Sequence, residues 1–148
     1  MSDFLINTPA DQSDYKPAVH AEILDAVIRT DQPTLEMAED RAIAEMQSYL
    51  SSRYDVVNIF NKTGPDRNQL IVMFAVDITL YHLYSAINRM RTPVERVDRY
   101  KRAIKWLEDV ADGLINPVGL PLVTDPLTGD DLLNPIRWGS EGKYTSGW

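Results

Sequence analysis

Residues 66–90 read DRNQLIVMFAVDITLYHLYSAINRM, and within them Leu70 to Leu83 is the longest strongly apolar run of the chain. Leu70, Ile71, Phe74, Ile78, Tyr81 and Leu83 fall on more than one face of a helix. A helix without a solvated side belongs in the middle of a bundle. Asp77 and His82 interrupt the run, and by length it falls short of a bilayer span, so a buried central helix is the reading. Asp66 is its expected cap, and the helix runs to about Met90.

On the C-terminal side, Thr92-Pro93-Val94-Glu95 opens the next helix. Thr92 and Glu95 have the spacing of a capping box, with Pro93 at the first helical position. Val97, Tyr100, Ile104, Leu107 and Ala111 make one stripe, and Gly113 is placed to end the helix in a left-handed conformation. On the N-terminal side, a helix is predicted from Pro17 to about Thr30, with Val19, Ile23, Leu24, Val27 and Ile28 at helical spacing. A second is capped by Asp31, with Pro33 in its first turn, and runs to about Tyr54. Leu35, Ala38, Ala42, Met46, Tyr49, Leu50 and Arg53 share its broad inner face; Glu39, Asp40 and Glu45 lie on the other side. Asp55 to Ile59 is a short β-branched-rich stretch, and residues 61–65 are a turn.

The ends differ from this body. Residues 1–16 are a lead-in in which Phe4, Leu5 and Ile6 stand among polar residues. Residues 114–148 hold five of the seven glycines and four of the nine prolines. Pro117, Pro121, Pro126 and Pro135 forbid a long helix there. Yet Leu120, Leu122, Leu132, Leu133, Ile136, Trp138, Tyr144 and Trp148 are too apolar for an inert linker. The segment reads as an arm that docks on its own domain or on a neighbouring subunit. The fold expected is therefore all-α, a small four-helix bundle over 17–113 with an extended Pro/Gly/Trp-containing C-terminal arm over 114–148.

A chain of 148 residues suits one domain with a real core. With 44% hydrophobic and 25% charged residues it is not disordered by composition. Its net charge of −7 disfavours nonspecific binding to nucleic acid. There are no cysteines, hence no disulfide, thiolate nucleophile or Cys-based zinc site. Met1 to Ala10 lacks the pattern of a signal peptide. A soluble intracellular protein, or one assembled inside a cell, is expected, without a membrane partner.

Chemistry is hard to find. His20 and His82 stand on different predicted helices without a second ligand at metal spacing. Asp77 and Tyr81 can place a hydrogen bond beside His82, a structural role. Glu36, Glu39 and Asp40 can share a helix face, which reads as a solvated acidic surface rather than a cation site. Asp125, Asp130 and Asp131 flank Gly129 but lack the spacing of a helical calcium loop. Asn61-Lys62-Thr63 matches a glycosylation triplet only formally. There is no phosphate loop, nucleophile elbow or dinucleotide fingerprint. An acidic hydrolase rests on scattered carboxylates alone, so no enzyme, cofactor or metal is expected. The basic segment is more informative. Arg89, Arg91, Arg96, Arg99, Lys101, Arg102 and Lys105 supply seven of the fifteen basic residues. It reads first as the polar side of an amphipathic helix, and alternatively as a contact for DNA or an acidic partner.

Three segments, in order, carry a resemblance: Ala42 to Asp55, with its Tyr49-Leu50-Ser51-Ser52-Arg53-Tyr54 ending; Ala75 to Tyr84, with Asp77-Ile78 followed by Tyr81, Leu83 and Tyr84; and Arg99-Tyr100, Ala103, Trp106-Leu107 and Gly113. Together these resemble the Mu-like prophage family of small virion proteins assigned to the head–tail connection, over roughly residues 15–115. The start, residues 2–15, diverges from that family, and the arm is longer than its usual tail. The resemblance implies a structural head–tail connector, or adaptor, of a tailed phage. Its helical domain 17–113 would join a ring, commonly twelve-fold, beneath the portal. The implied partners are the portal protein, neighbouring copies, a downstream neck or tail protein and, passively, channel DNA. The implied location is the head–tail junction of a virion assembled in the bacterial cytoplasm. The alternative is a small nucleic-acid-binding or regulatory protein using residues 89–105.

Overall fold

The structure, a computed structural model, describes residues 4–6, 14–15, 18, 32–87 and 92–124. Among these residues four helices follow in order: α1 Gln32–Leu50, α2 Val56–Phe60, α3 Gln69–Ile87 and α4 Val94–Ala111, with one 3-10 turn at Gly64–Asp66. Among the described residues no strand forms; one isolated antiparallel bridge joins Tyr54 to Leu122. The fold is all-α. The helix expected over residues 17–30 lies outside the described residues, as does Asp31.

α3 packs against both α1 and α4, and α1 also meets α4. The central position expected from its sequence is the one it takes. Ile71, Val72, Phe74, Ala75, Val76, Ile78, Leu80 and Leu83 are buried. Residues Gln69–Ala86 are in fact long and apolar enough to cross a membrane. Burial inside the protein, not shortness, is what marks this as a core helix: 56% of that window is covered. α1 buries Leu35, Ala38, Ala42, Met46 and Leu50 along one stripe, as expected. Each large side chain so buried is worth about 1.5–3 kcal/mol. α4 buries Ala103, Leu107 and Val110. The expected stripe is shifted: Val97, Tyr100, Ile104 and Ala111 are only partly covered.

The punctuation of the helices departs from expectation in two places, the starts of α3 and α4. The β-branched-rich stretch Asp55 to Ile59 enters a short helix. Asp55 accepts from the Asn58 backbone N–H at 3.1 Å and caps the short helix α2. β-branched residues lose little in a helix of one turn held by tertiary contacts. The cap of α3 is Asn68, not Asp66; Asn68 Oδ1 accepts from Leu70 and Ile71 N–H at 3.0 and 3.3 Å. Asp66 closes the preceding 3-10 turn instead. The capping box at Thr92 does not form. Pro93 is the N-cap and no side chain bonds there. The C-terminus of α4 follows the expectation. Gly113 has φ +79°. Its N–H reaches Val110 O at 3.1 Å while Leu114 N–H reaches Asp109 O at 2.8 Å, the paired bonds of a Schellman ending.

The lead-in contributes to the core. Phe4, Leu5 and Tyr15 are buried, and Phe4 meets Phe60 edge-on at 5.0 Å. Arg67 fastens this segment. It donates to Phe4 O at 2.7 Å, to Gly64 O at 2.9 Å and to both Asp14 oxygens at 2.6 and 3.1 Å. Tyr15 donates to Glu39 at 2.5 Å, so Glu39, expected in solvent, is 3% exposed. Burial, with Glu39 adding to it, pushes the Tyr15 phenol well above its ordinary 10.0. The hydroxyl therefore stays a donor.

Candidate functional site

Two clusters of polar side chains sit where α1, α3 and α4 meet, and a third feature is the folded-back start of the arm. The first cluster is centred on Glu45. Its Oε2 lies 2.9 Å from His82 Nε2 and its Oε1 accepts from Tyr100 Oη at 2.8 Å. Tyr81 stacks on Tyr100 with ring centres 3.9 Å apart and planes 10° from parallel. Burial first, then the bonded Glu45 carboxylate, raises the Tyr100 phenol. The partner of His82 is therefore Glu45 and not Asp77, and Tyr81 is occupied by an aromatic ring. Glu45, read from sequence as solvent-facing, is the residue that the sequence reading missed. The available signal was the pair of half-polar groups, His82 and Tyr100, which need an acceptor once partly buried.

The second cluster lies on the seam between α3 and α4. Asp77 is 2% exposed, and its Oδ2 has no hydrogen-bond partner. Arg99 and Arg102 each approach it to 3.7 Å from α4, with side chains 46% and 62% exposed. Burial raises the Asp77 carboxyl above its ordinary 3.8, against the opposing pull of Arg99, Arg102 and Arg96. Next along the seam, the Phe74 and Trp106 rings meet at 4.7 Å, tilted by 31°. Of the remaining basic candidates, Arg96 donates to Ala18 O, Lys105 is paired with Asp109, and Lys101 is exposed. Arg89 and Arg91 lie outside the described residues. Among the described basic candidates, Arg99 and Arg102 thus come together over Asp77, while Arg96 and Lys105 are bonded elsewhere.

Residues 114–124 turn back over the end of the helices. Val123 N–H donates to Arg53 O at 3.1 Å, and Asp55 N–H to Pro121 O at 2.9 Å. Arg53 in turn donates to Val110 O at 3.0 Å and to Asn116 Oδ1 at 2.9 Å. Leu120 and Leu122 pack partly buried against the core, so these two arm candidates are spent on their own domain. Leu132, Leu133, Ile136, Trp138, Tyr144 and Trp148 lie outside the described residues. A small pocket beside the arm is lined by Ile59, Lys62, Asp66, Asn68, Gly119, Leu120 and Pro121. Among the described residues no group of three His, Asp or Glu side chains is placed to hold a metal ion. Glu36, Glu39 and Asp40 are not brought together as a site, because Glu39 is turned inward onto Tyr15.

No curated protein and no solved structure matches the chain. The family model described as Bacteriophage Mu, Gp36 matches residues 10–126. That span takes in the core helices, the Glu45 cluster, the α3–α4 seam and the folded-back start of the arm, so the chain belongs to the Bacteriophage Mu, Gp36 family, a family of Mu-like phage proteins.

Proposed function

We propose that this phage protein is a structural virion component, a head–tail connector that forms a ring beneath the portal and joins the DNA-filled head to the neck or tail. The observation that carries the reading is the family match over residues 10–126. The organisation of the chain supports it. The polar clusters tie helices to one another, and the surface carries separate apolar residues, Met37, Val57, Leu114 and Val118 among them. Such residues suit side-to-side contacts that close on rotation into a ring. The aromatic anchors Trp138, Tyr144 and Trp148 are of the type that dominates protein–protein contacts. In this role the partners are the portal protein, neighbouring copies and the next neck component, and DNA passes through the channel without being read.

Nucleic-acid recognition through residues 89–105 is the less supported alternative. Arg96 and Lys105 are bonded inside the protein, and the charges of Arg99 and Arg102 are partly offset by the Asp77 carboxylate. The test is the mass of the purified protein in solution, alone and mixed with the portal of the same phage. A ring, formed alone or only on the portal, is the expected result. A monomer that ignores the portal, together with a salt-sensitive shift of duplex DNA, would overturn the connector reading in favour of nucleic acid.

A further inference from the structure

Leu70, Met73 and Asp77 lie within about 60° of one another around the axis of α3, and Arg99, Arg102 and Trp106 do the same on α4. The Asp77–arginine and Phe74–Trp106 contacts hold the two stripes side by side. The resulting surface is unusual for this acidic chain. Leu70 and Met73 are 38% and 43% exposed. Beside them, two half-exposed guanidiniums cover one buried carboxylate, so the seam carries a net positive charge. At 3.7 Å the arginines sit beyond hydrogen-bond distance from Asp77, and no other hydrogen bond to either is made among the described residues. Their N–H forks remain available for carboxylates, which arginine takes in bidentate fashion. The ligand that suits this surface is an extended peptide with acidic residues directly next to branched apolar ones.

We propose that the α3–α4 seam is the docking site of this chain's own segment 125–133, DPLTGDDLL. The segment holds Asp125, Asp130 and Asp131, three leucines and no basic residue. It starts directly after Thr124, where Val123 is bonded to Arg53 and Arg53 to Val110, near the C-terminal end of α4. Nine extended residues reach about 30 Å, comparable with the roughly 27 Å length of α4. The segment can lie along the seam of its own copy or cross to a neighbour. The proposal stands apart from the connector reading, since it concerns a contact of the chain with itself.

The chain has no cysteine, which makes cross-linking in the full-length protein a clean test. The pair Met73→Cys with Leu132→Cys is compared with the pair Met37→Cys with Leu132→Cys, Met37 being 54% exposed on α1. Under mild oxidation the seam pair should close about tenfold faster, the effect of a raised local concentration. A product within one chain and a product between two chains both count as docking. Asp130→Lys with Asp131→Lys, placed on the segment so that the body is untouched, should bring the seam pair down to the rate of the reference pair. Equal rates for the two pairs, or a preference that survives the lysine substitutions, would overturn the proposal. So would equal rates accompanied by a duplex-DNA shift that Arg99→Glu with Arg102→Glu abolishes, and that outcome would assign the seam to nucleic acid.

Discussion

At the scale of single residues, two buried charges behave oppositely. Arg67 has every neighbour it needs: its side chain is 6% exposed and its partner Asp14 11%. Removing one member of such a pair leaves the other charge stranded, at a cost of about 3–5 kcal/mol. Arg67→Met should therefore lower stability by that order in a denaturant melt, and Asp14→Asn in the same chain should recover part of it. Asp77 is the converse, a carboxylate whose burial outweighs its arginines. Its folded pKa lies above the ordinary 3.8. As pH rises past about 3.8 the unfolded chain loses this proton before the folded chain does, so stability falls until the folded value is passed. Asp77→Asn does not titrate. The difference in melting temperature between variant and parent should move in favour of the variant as pH is raised from 3.5 toward neutrality, over a window opening at about 3.8. A difference that is flat, or moves the other way, would show that the arginines win.

At the scale of elements, the helix ends are decided by what the neighbouring chain supplies. α3 is capped by Asn68, which also donates to Val118 O at 3.2 Å and so ties the cap to the arm. α4 starts at Pro93 without a side-chain cap, leaving Arg96 and Val97 N–H on Pro93 O. Its far end is the more sensitive. At Gly113, φ +79° excludes most side chains, and a Cβ would stand 3.2 Å from Arg53 Nη1. Gly113→Ala should cost about 1–2 kcal/mol. It should also disturb the Arg53 bridge to Val110 and Asn116, so the backbone amides of Val123 and Asp55, bonded to Arg53 O and Pro121 O, should lose protection from hydrogen exchange. Protection unchanged there would mean that the arm is held by Leu120 and Leu122 alone.

At the scale of the whole molecule, the first residues of the arm fold back onto the helical domain. Residues 114–124 bond to Arg53, Asp55 and Asn68 and bring Leu120 and Leu122 onto the core. A chain ending after Thr124 should keep most of the stability of the full protein. One ending after Asn116 should lose on the order of 2–4 kcal/mol from the two leucines. If the two truncations melted alike, the fold-back would contribute nothing. The all-α class, the central place of α3, the inner stripe of α1 and the glycine ending of α4 were legible in the sequence. Each follows from apolar spacing or from a backbone conformation that one residue type favours. The family was legible too, in the three segments that run from Ala42 to Gly113. The partners of Glu39, Glu45 and Arg67 were not. Hydrophobic periodicity says which face of a helix turns inward but not which polar group lies opposite. Glu39 meets Tyr15, Glu45 meets His82 and Tyr100, and Arg67 meets Asp14, across separations of 24 to 55 residues. Local sequence thus determined the helices and their order, whereas the pairing of buried polar groups was decided only in the tertiary structure, because satisfying a donor or a charge out of water depends on distance in space and not on distance along the chain.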